Sequence, residues 1–206
     1  MLNSINIGAR DETPSNIFCI GRNYVAHIEE LGNQVPAEMV VFNKPNSAIS
    51  TELLSFHDEP LHYEAELCFI VEKGKFTAVG AGIDLTKRLL QAKLKSNGLP
   101  WERAKAFKGS AVFSDFVHIS PNDIDDTLRL ELSINGNIVQ QGGVQLMMYK
   151  PVDILSELAT YTVLNDGDIV MTGTPKGVGI ISKGALFDAR VYSENRLLVS
   201  KNWTAK

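Results

Sequence analysis

Glu64 and Glu66 lie in the run Leu61-His62-Tyr63-Glu64-Ala65-Glu66-Leu67-Cys68-Phe69-Ile70-Val71, whose aromatic and β-branched members predict a strand. Residues two apart on a strand share a face, so the two carboxylates stand side by side with backbones roughly 6.5–7 Å apart. Like charges this close need compensation, and a hard divalent cation with oxygen ligands supplies it. A strand edge bearing two solvated glutamates fits the same pattern. Asp84, Arg88 and Gln91 fall at i, i+4 and i+7 of a predicted helix, one stripe holding a carboxylate, a guanidinium and an amide. Asp84 is equally suited to cap that helix. Lys105 sits among Trp101, Ala104, Ala106 and Phe107, which can desolvate it beside an anion or leave it an ordinary surface lysine. His27 and Glu30, at i and i+3, can polarise a water as a general base or stand exposed in an acidic run.

A Gly-rich loop, Met171-Thr172-Gly173-Thr174-Pro175-Lys176-Gly177-Val178-Gly179, follows another strand. It lacks the Lys-Ser/Thr ending of a phosphate-binding loop, and it lacks the glycine spacing and following helix of a dinucleotide site. Pro175 drives Thr174 toward an extended conformation, where its hydroxyl and amide either meet a ligand or close a structural hairpin.

The elements that must position these groups are mostly strands. Asn16 to Ile20 and Val40 to Asn43 read as strands around a polar, helix-like Arg22–Gly32 segment that Gly32 would cap. A helix runs from Asp84 to about Asn97, ended by Gly98 and Pro100. Leu128 to Ile134 alternates cleanly, and Asn135-Gly136 marks a hairpin into Asn137–Gln141. A second helix starts at Pro151 and reaches Tyr161, with Val152, Leu155, Leu158 and Ala159 as its apolar face. Strand-like runs at Asp168–Thr172, Leu186–Tyr192 and Arg196–Lys201 complete the chain. Helices do not alternate regularly with strands, so the expected class is α+β rather than a doubly wound parallel sheet.

The chain has 206 residues and a net charge of −4, enough for a full core in one expected domain, 1–206, and without the basic block of a nucleic-acid binder. No apolar run approaches a membrane span, and Met1-Leu2-Asn3-Ser4-Ile5 lacks a signal peptide's basic and apolar regions. Cys19 and Cys68 read as buried thiols, and the compartment as cytoplasmic.

Taken in order, several segments resemble the fumarylacetoacetate hydrolase family. They are Gly21-Arg22-Asn23-Tyr24 with His27; Phe42-Asn43-Lys44-Pro45; His62-Tyr63-Glu64-Ala65-Glu66-Leu67; Gly82-Ile83-Asp84-Leu85-Thr86; Gly98-Leu99-Pro100-Trp101 with Ala104-Lys105; and Gly167-Asp168 leading to Thr172–Gly179. The resemblance spans about Ile17 to Trp203 and is nearest the small single-domain branch of acylpyruvases and oxaloacetate decarboxylases. It implies that Glu64, Glu66 and Asp84 bind one Mg²⁺ or Mn²⁺. It implies that His27 and Glu30 hold a water on a mobile lid, with Lys105 as a further catalytic group. Arg22, Lys44, Arg88, Gln91 and Thr174, with Lys105, would grip a small 2-oxo or diketo acid. The implied fold is a β-rich mixed-sheet roll with few short helices, usually a homodimer. Lys108 departs from the family's usual Asp, and Gln141–Gln145 lacks its Asn-Thr pair.

Such a substrate chelates a metal through two oxygens and forms an enolate that the metal and Lys105 stabilise. Activated water then gives C–C hydrolysis, loss of CO₂ gives decarboxylation, and proton transfer alone gives tautomerisation. The His27–Glu30 pair puts hydrolysis of an acylpyruvate first. The alternatives are an oxaloacetate decarboxylase or tautomerase, a 2-hydroxyhepta-2,4-diene-1,7-dioate isomerase-type enzyme, and a catalytically idle metabolite-binding relative.

Overall fold

Successive side chains of the central strands enter two different cores. In the computed structural model, which describes residues 2–206, Leu67, Phe69 and Val71 join one buried cluster, and Cys68 and Ile70 join another on the opposite face. Phe18 and Ile20 divide from Ile17 and Cys19 in the same way. A sheet covered on both faces needs apolar residues at consecutive positions, which explains the unbroken run Leu67–Val71.

This central sheet has seven strands. Its path runs Ala111–Phe113, Lys75–Asp84, Ala65–Glu72, Ile169–Met171, Asn16–Gly21, Val40–Pro45, with Val117–His118 also pairing to Lys75–Asp84. It is mixed, because Ile169–Met171 runs parallel to Asn16–Gly21 and antiparallel to Ala65–Glu72. A four-stranded antiparallel sheet, Asn137–Gly143, Leu128–Ile134, Leu186–Ser193 and Arg196–Thr204, completes the first core with Leu130, Leu132, Phe187 and Val191. Asn135 (φ +51°) and Gly136 (φ +82°) make its tight hairpin, as the sequence predicts. A smaller sheet joins Gly179–Ile180, Glu59–Tyr63 and Phe56–His57, with Thr86–Lys87 on Glu59–Tyr63. Among the described residues there are four α-helices: α1 Val25–Glu30, α2 Arg88–Ser96, α3 Glu102–Lys105 and α4 Pro151–Tyr161. The architecture is the β-rich α+β roll expected.

Several details differ from the sequence expectation. The Leu61–Val71 run is not one strand: it breaks at Glu64, where the chain passes from the smaller sheet into the central one. The predicted helix from Asp84 begins only at Arg88. Asp84 is the last residue of the Lys75–Asp84 strand, held extended by its pairing to Ala111 and by an N–H bond of 2.8 Å to Glu64 O. It therefore neither caps α2 nor shares a helical stripe with Arg88 and Gln91. The segment from Arg22 is helical only from Val25. Helix α4 buries Pro151, Ile154 and Leu158, while Val152 and Ala159 face out.

The longest strand, Lys75–Asp84, carries no sequence signal of its own, being rich in Ala and Gly. The small residues are there for space. A Cβ on Gly82 would lie 2.5 Å from Cys68 Sγ and 2.9 Å from the Phe113 ring. Gly82→Ala should therefore cost about 1–3 kcal/mol through overpacking, a Tm drop of roughly 2–10 °C by calorimetry. A Tm unchanged within about 1 °C would show that the strand yields without strain.

Candidate active site

Strand register assembles the carboxylates. Ala65 pairs with Ile83 and Glu66 with Gly82, so Asp84 stands across from Glu64. Glu64, Glu66 and Asp84 are buried and offer oxygens all within 4.8 Å of one another. The short helix α3 delivers Lys105, whose Nζ donates to Glu64 Oε2 (2.7 Å), Asp84 Oδ2 (2.8 Å) and Thr86 Oγ1 (2.6 Å). Arg88, at the start of α2, donates to Glu64 Oε1 and to Gln91 Oε1, the latter at 2.9 Å. Lys44 Nζ lies 2.8 Å from Asp84 Oδ1, an ion-pair contact off hydrogen-bond alignment, and donates to Ser110 O at 3.0 Å and to Lys105 O.

Glu66 is the exception. Among the described residues its donor is a backbone group, the Gly173 amide at 2.6 Å. Burial pushes the Glu66 carboxyl well above the ordinary carboxylate range, and the Asp84 and Glu64 charges push it further. Burial acts on Glu64 too, but Lys105 and Arg88 outweigh it and hold that carboxyl below its usual range. Burial opposes the Lys105 charge, yet Asp84 and Glu64 more than compensate, so it stays an ammonium. An all-oxygen cluster in which one buried carboxylate has no side-chain cation of its own among the described residues fits a hard divalent ion.

The His27 side chain arrives on a tied-down segment. The chain leaves its strand at Gly21, turns through Arg22 in a left-handed conformation (φ +56°) and enters α1. Asn23, fully buried, donates to Thr172 O (2.8 Å) and Tyr149 O (3.0 Å), which anchors the start of α1 to the Gly-rich loop. Glu30 anchors its end by accepting the Gly177 N–H at 2.9 Å. That approach requires glycine, since a Cβ at Gly177 (φ +101°) would lie 2.0 Å from Val139 O. His27 is buried with Nδ1 3.3 Å from Glu30 Oε2. A carboxylate only accepts, so Nδ1 carries the proton and Nε2 is the free acceptor. Burial lowers the His27 pKa below its ordinary 6.5 against the pull of Glu64 and Glu30, leaving the ring neutral near pH 7.

His27, Glu64, Glu66, Arg22, Arg88, Gln91, Lys105 and Thr174 line one cavity. Glu30 lies behind His27, and Asp84 is enclosed beneath Lys105. The structure does not bring Lys44 to the cavity wall: it is fully enclosed behind Asp84, so a substrate in the cavity meets its charge only through that carboxylate. Lys108 is exposed and outside the cavity lining.

Gln140 is a residue the sequence reading missed. It accepts from Ala65 N (3.0 Å) and donates to Thr174 Oγ1 and Pro175 O (both 2.8 Å), clamping the link between the two glutamates to the Gly-rich loop. Continuing the hairpin register from Ile134–Asn137 would place Val139 opposite core-facing Leu132; a register shift between Leu132 and Ser133 brings Gln140 there instead, so no local signal marks it as buried. Lys95 and Trp101 also line the cavity without having been anticipated.

The family model described as Fumarylacetoacetate (FAA) hydrolase C-terminal matches residues 16–201. The chain belongs to the fumarylacetoacetate hydrolase family. Its relatives include a mitochondrial oxaloacetate tautomerase of Schizosaccharomyces pombe, 37% identical over 90% of this chain and 93% of the relative. An oxaloacetate tautomerase of Escherichia coli is 35% identical over 84% and 87% of the two chains. A fumarylpyruvate hydrolase of Pseudomonas aeruginosa, solved with Mn²⁺ and pyruvate, is 26% identical with a TM-score of 0.89 over 99% and 95% of the two chains.

Glu66→Gln copies the protonated carboxyl in shape and should leave the metal-free protein within about 0.5 kcal/mol of its original stability. It should weaken Mn²⁺ binding by tenfold or more on the order of a lost ligand charge, read by calorimetric titration. Unchanged Mn²⁺ affinity would remove Glu66 from the ligand set.

Proposed function

We propose that this chain is a Mg²⁺- or Mn²⁺-dependent tautomerase of oxaloacetate or a closely similar small 2-oxo diacid, the metal held by Glu64, Glu66 and Asp84. The observation that carries the reading is a neutral His27 with Nε2 free, in one cavity with the Lys105 ammonium and the carboxylate cluster. The two tautomerase relatives support this reaction over the C–C hydrolysis that the sequence put first.

A bound metal would supply Lewis-acid polarisation of the 2-oxo group and charge for the oxyanion. His27 Nε2 takes the C3 proton as general base, and Glu30 keeps the ring in the required tautomer. Lys105, whose three N–H groups go to Glu64, Asp84 and Thr86 in the metal-free protein, would turn one of them to the oxygen that gains charge, while the Thr174 hydroxyl, bonded to Ala65 O and Gln140, shapes the same wall. Returning the proton from His27 to O2 gives the enol, and the reverse transfer gives the ketone, so no atom is gained or lost. Arg88, fixed by Gln91, faces the substrate carboxylate. The ties of α1 at Asn23 and Glu30 hold the His27 ring at the cavity. The second reading, hydrolysis of an acylpyruvate, uses the same dyad to deprotonate a water, and the Mn²⁺–pyruvate complex of the Pseudomonas hydrolase favours it.

With Mg²⁺, the enol–ketone exchange of oxaloacetate followed by absorbance should be accelerated, with its acid limb below pH 6.5, because His27 must be unprotonated and its pKa is lowered. His27→Asn should cut the rate by about 10²–10⁴-fold and abolish that limb. Faster cleavage of acetylpyruvate than exchange of oxaloacetate would reverse the order of the two readings.

We read residues 1–206 as one catalytic domain acting in the cytoplasm as a homodimer. Cys19 and Cys68 both pair with Met171 from opposite sides, about 9.5 Å apart, too far for a disulfide, which suits a reducing compartment. No described helix is long and apolar enough to cross a membrane. Exposed Val152, Tyr161 and Val163 on and after α4 leave apolar surface for a second copy. Sedimentation equilibrium should give twice the chain mass, and a monomer at micromolar concentration would contradict the assembly.

A further inference from the structure

Two cations in the cavity have no carboxylate partner among the described residues. Lys105 and Arg88 are paired to Glu64, and Lys105 also to Asp84. Among the described residues the Arg22 side chain meets only the Asn33 amide oxygen, at 3.3 Å, and its Nε is buried without a partner. The ammonium of Lys95, half-buried in the last turn of α2, makes no hydrogen bond or ion pair among the described residues. Its ammonium instead lies over the Trp101 ring, 4.7 Å from the centroid. Trp101 packs on Phe42 with centroids 6.1 Å apart, and Lys105 lies 5.2 Å from the Phe42 ring. The aromatic pair thus separates an ammonium on the carboxylate cluster from an uncommitted one that lines the same cavity.

A lysine in the last helical turn ordinarily serves the C-terminal carbonyls and projects into water. Here the side chain turns over Trp101 and lines the cavity, where desolvation without a counter-charge costs stability unless an anion completes it. Resting on the tautomerase reading, a 2-oxo acid whose reacting end meets the carboxylate cluster directs its other end toward this wall. An acyl group there would leave both cations unpaired.

We infer that Lys95 binds the second carboxylate of the substrate, with Arg22 beside it, and sets a preference for dianionic over monoanionic 2-oxo acids. Burial, and then the Arg22, Arg88 and Lys105 charges, lower its pKa to about 8, with Glu64 opposing. These are the charged groups that face it from α2, α3, the turn before α1 and the break at Glu64. Diacid affinity should therefore fall as pH rises through about 8, where the ammonium is lost.

The test compares oxaloacetate with its 4-methyl ester, which lacks the second charge, on the Mg²⁺-loaded protein. Lys95→Met should lower the preference for oxaloacetate over the ester by about 10- to 100-fold, the range for a hydrogen bond to a charged group. Lys95→Arg should restore the preference and remove the rise of oxaloacetate KM above about pH 8. An unchanged preference in Lys95→Met, or a pH dependence that persists in Lys95→Arg, would overturn the assignment. If neither compound is turned over, the tautomerase reading fails. Calorimetric binding of non-enolisable 3,3-difluorooxaloacetate against oxamate then decides Lys95 separately: loss of the diacid preference in Lys95→Met supports the assignment and its retention refutes it.

Discussion

Three carboxylates buried within 4.8 Å of one another impose a charge requirement that the surrounding structure is arranged to meet. Each would be expelled or protonated without compensation. Lys44 beneath Asp84, Lys105 between Asp84 and Glu64, and Arg88 on Glu64 supply most of it. Among the described residues Glu66 receives no side-chain cation, only the Gly173 amide, and burial pushes its carboxyl well above the ordinary range. That unmet charge is what a divalent ion would satisfy. Because the other two carboxylates already have partners, a bound ion would leave the cavity positive, and the cavity would then draw a dianionic substrate.

The backbone serves the same requirement. The break at Glu64 lets one chain segment leave a small sheet and enter the central one, and pairing with Lys75–Asp84 places Asp84 opposite. Gly80 and Gly82 make room for Phe116, Cys68 and Phe113 behind that register. Gln140 then fastens Ala65, the residue between the glutamates, to the Gly-rich loop, and Asn23 and Glu30 fasten the His27 segment to the same loop. One loop thus holds both the His27 segment and a backbone donor to the cluster.

Much of this was legible in the sequence because it is local. The glutamate pair, the Asn135-Gly136 turn, the Gly32 and Gly98 helix ends and the extent of α4 follow from spacing and backbone preference. The rest depends on tertiary context. Asp84 looks like a helix cap until cross-strand pairing holds it extended. Lys75–Asp84 carries no strand signal because its small residues answer to aromatic rings distant in sequence. Lys44, read as a substrate contact from the family resemblance, is enclosed behind Asp84 because only the fold shows which side of the carboxylate a lysine approaches. Nothing local in the sequence singles out Lys95; its place over Trp101 comes from the packing of α2 against the residues before α3.

On the proposed reading the reaction turns on what His27 removes a proton from, and either outcome needs a metal on the carboxylate cluster. Anomalous diffraction from crystals soaked in Mn²⁺ and oxalate tests that requirement most directly. The account predicts one strong peak per chain touching oxygens of Glu64, Glu66 and Asp84, with the Lys105 ammonium displaced from its bridging position toward the ligand. No peak there, with Lys105 still joining Glu64 to Asp84, would contradict it.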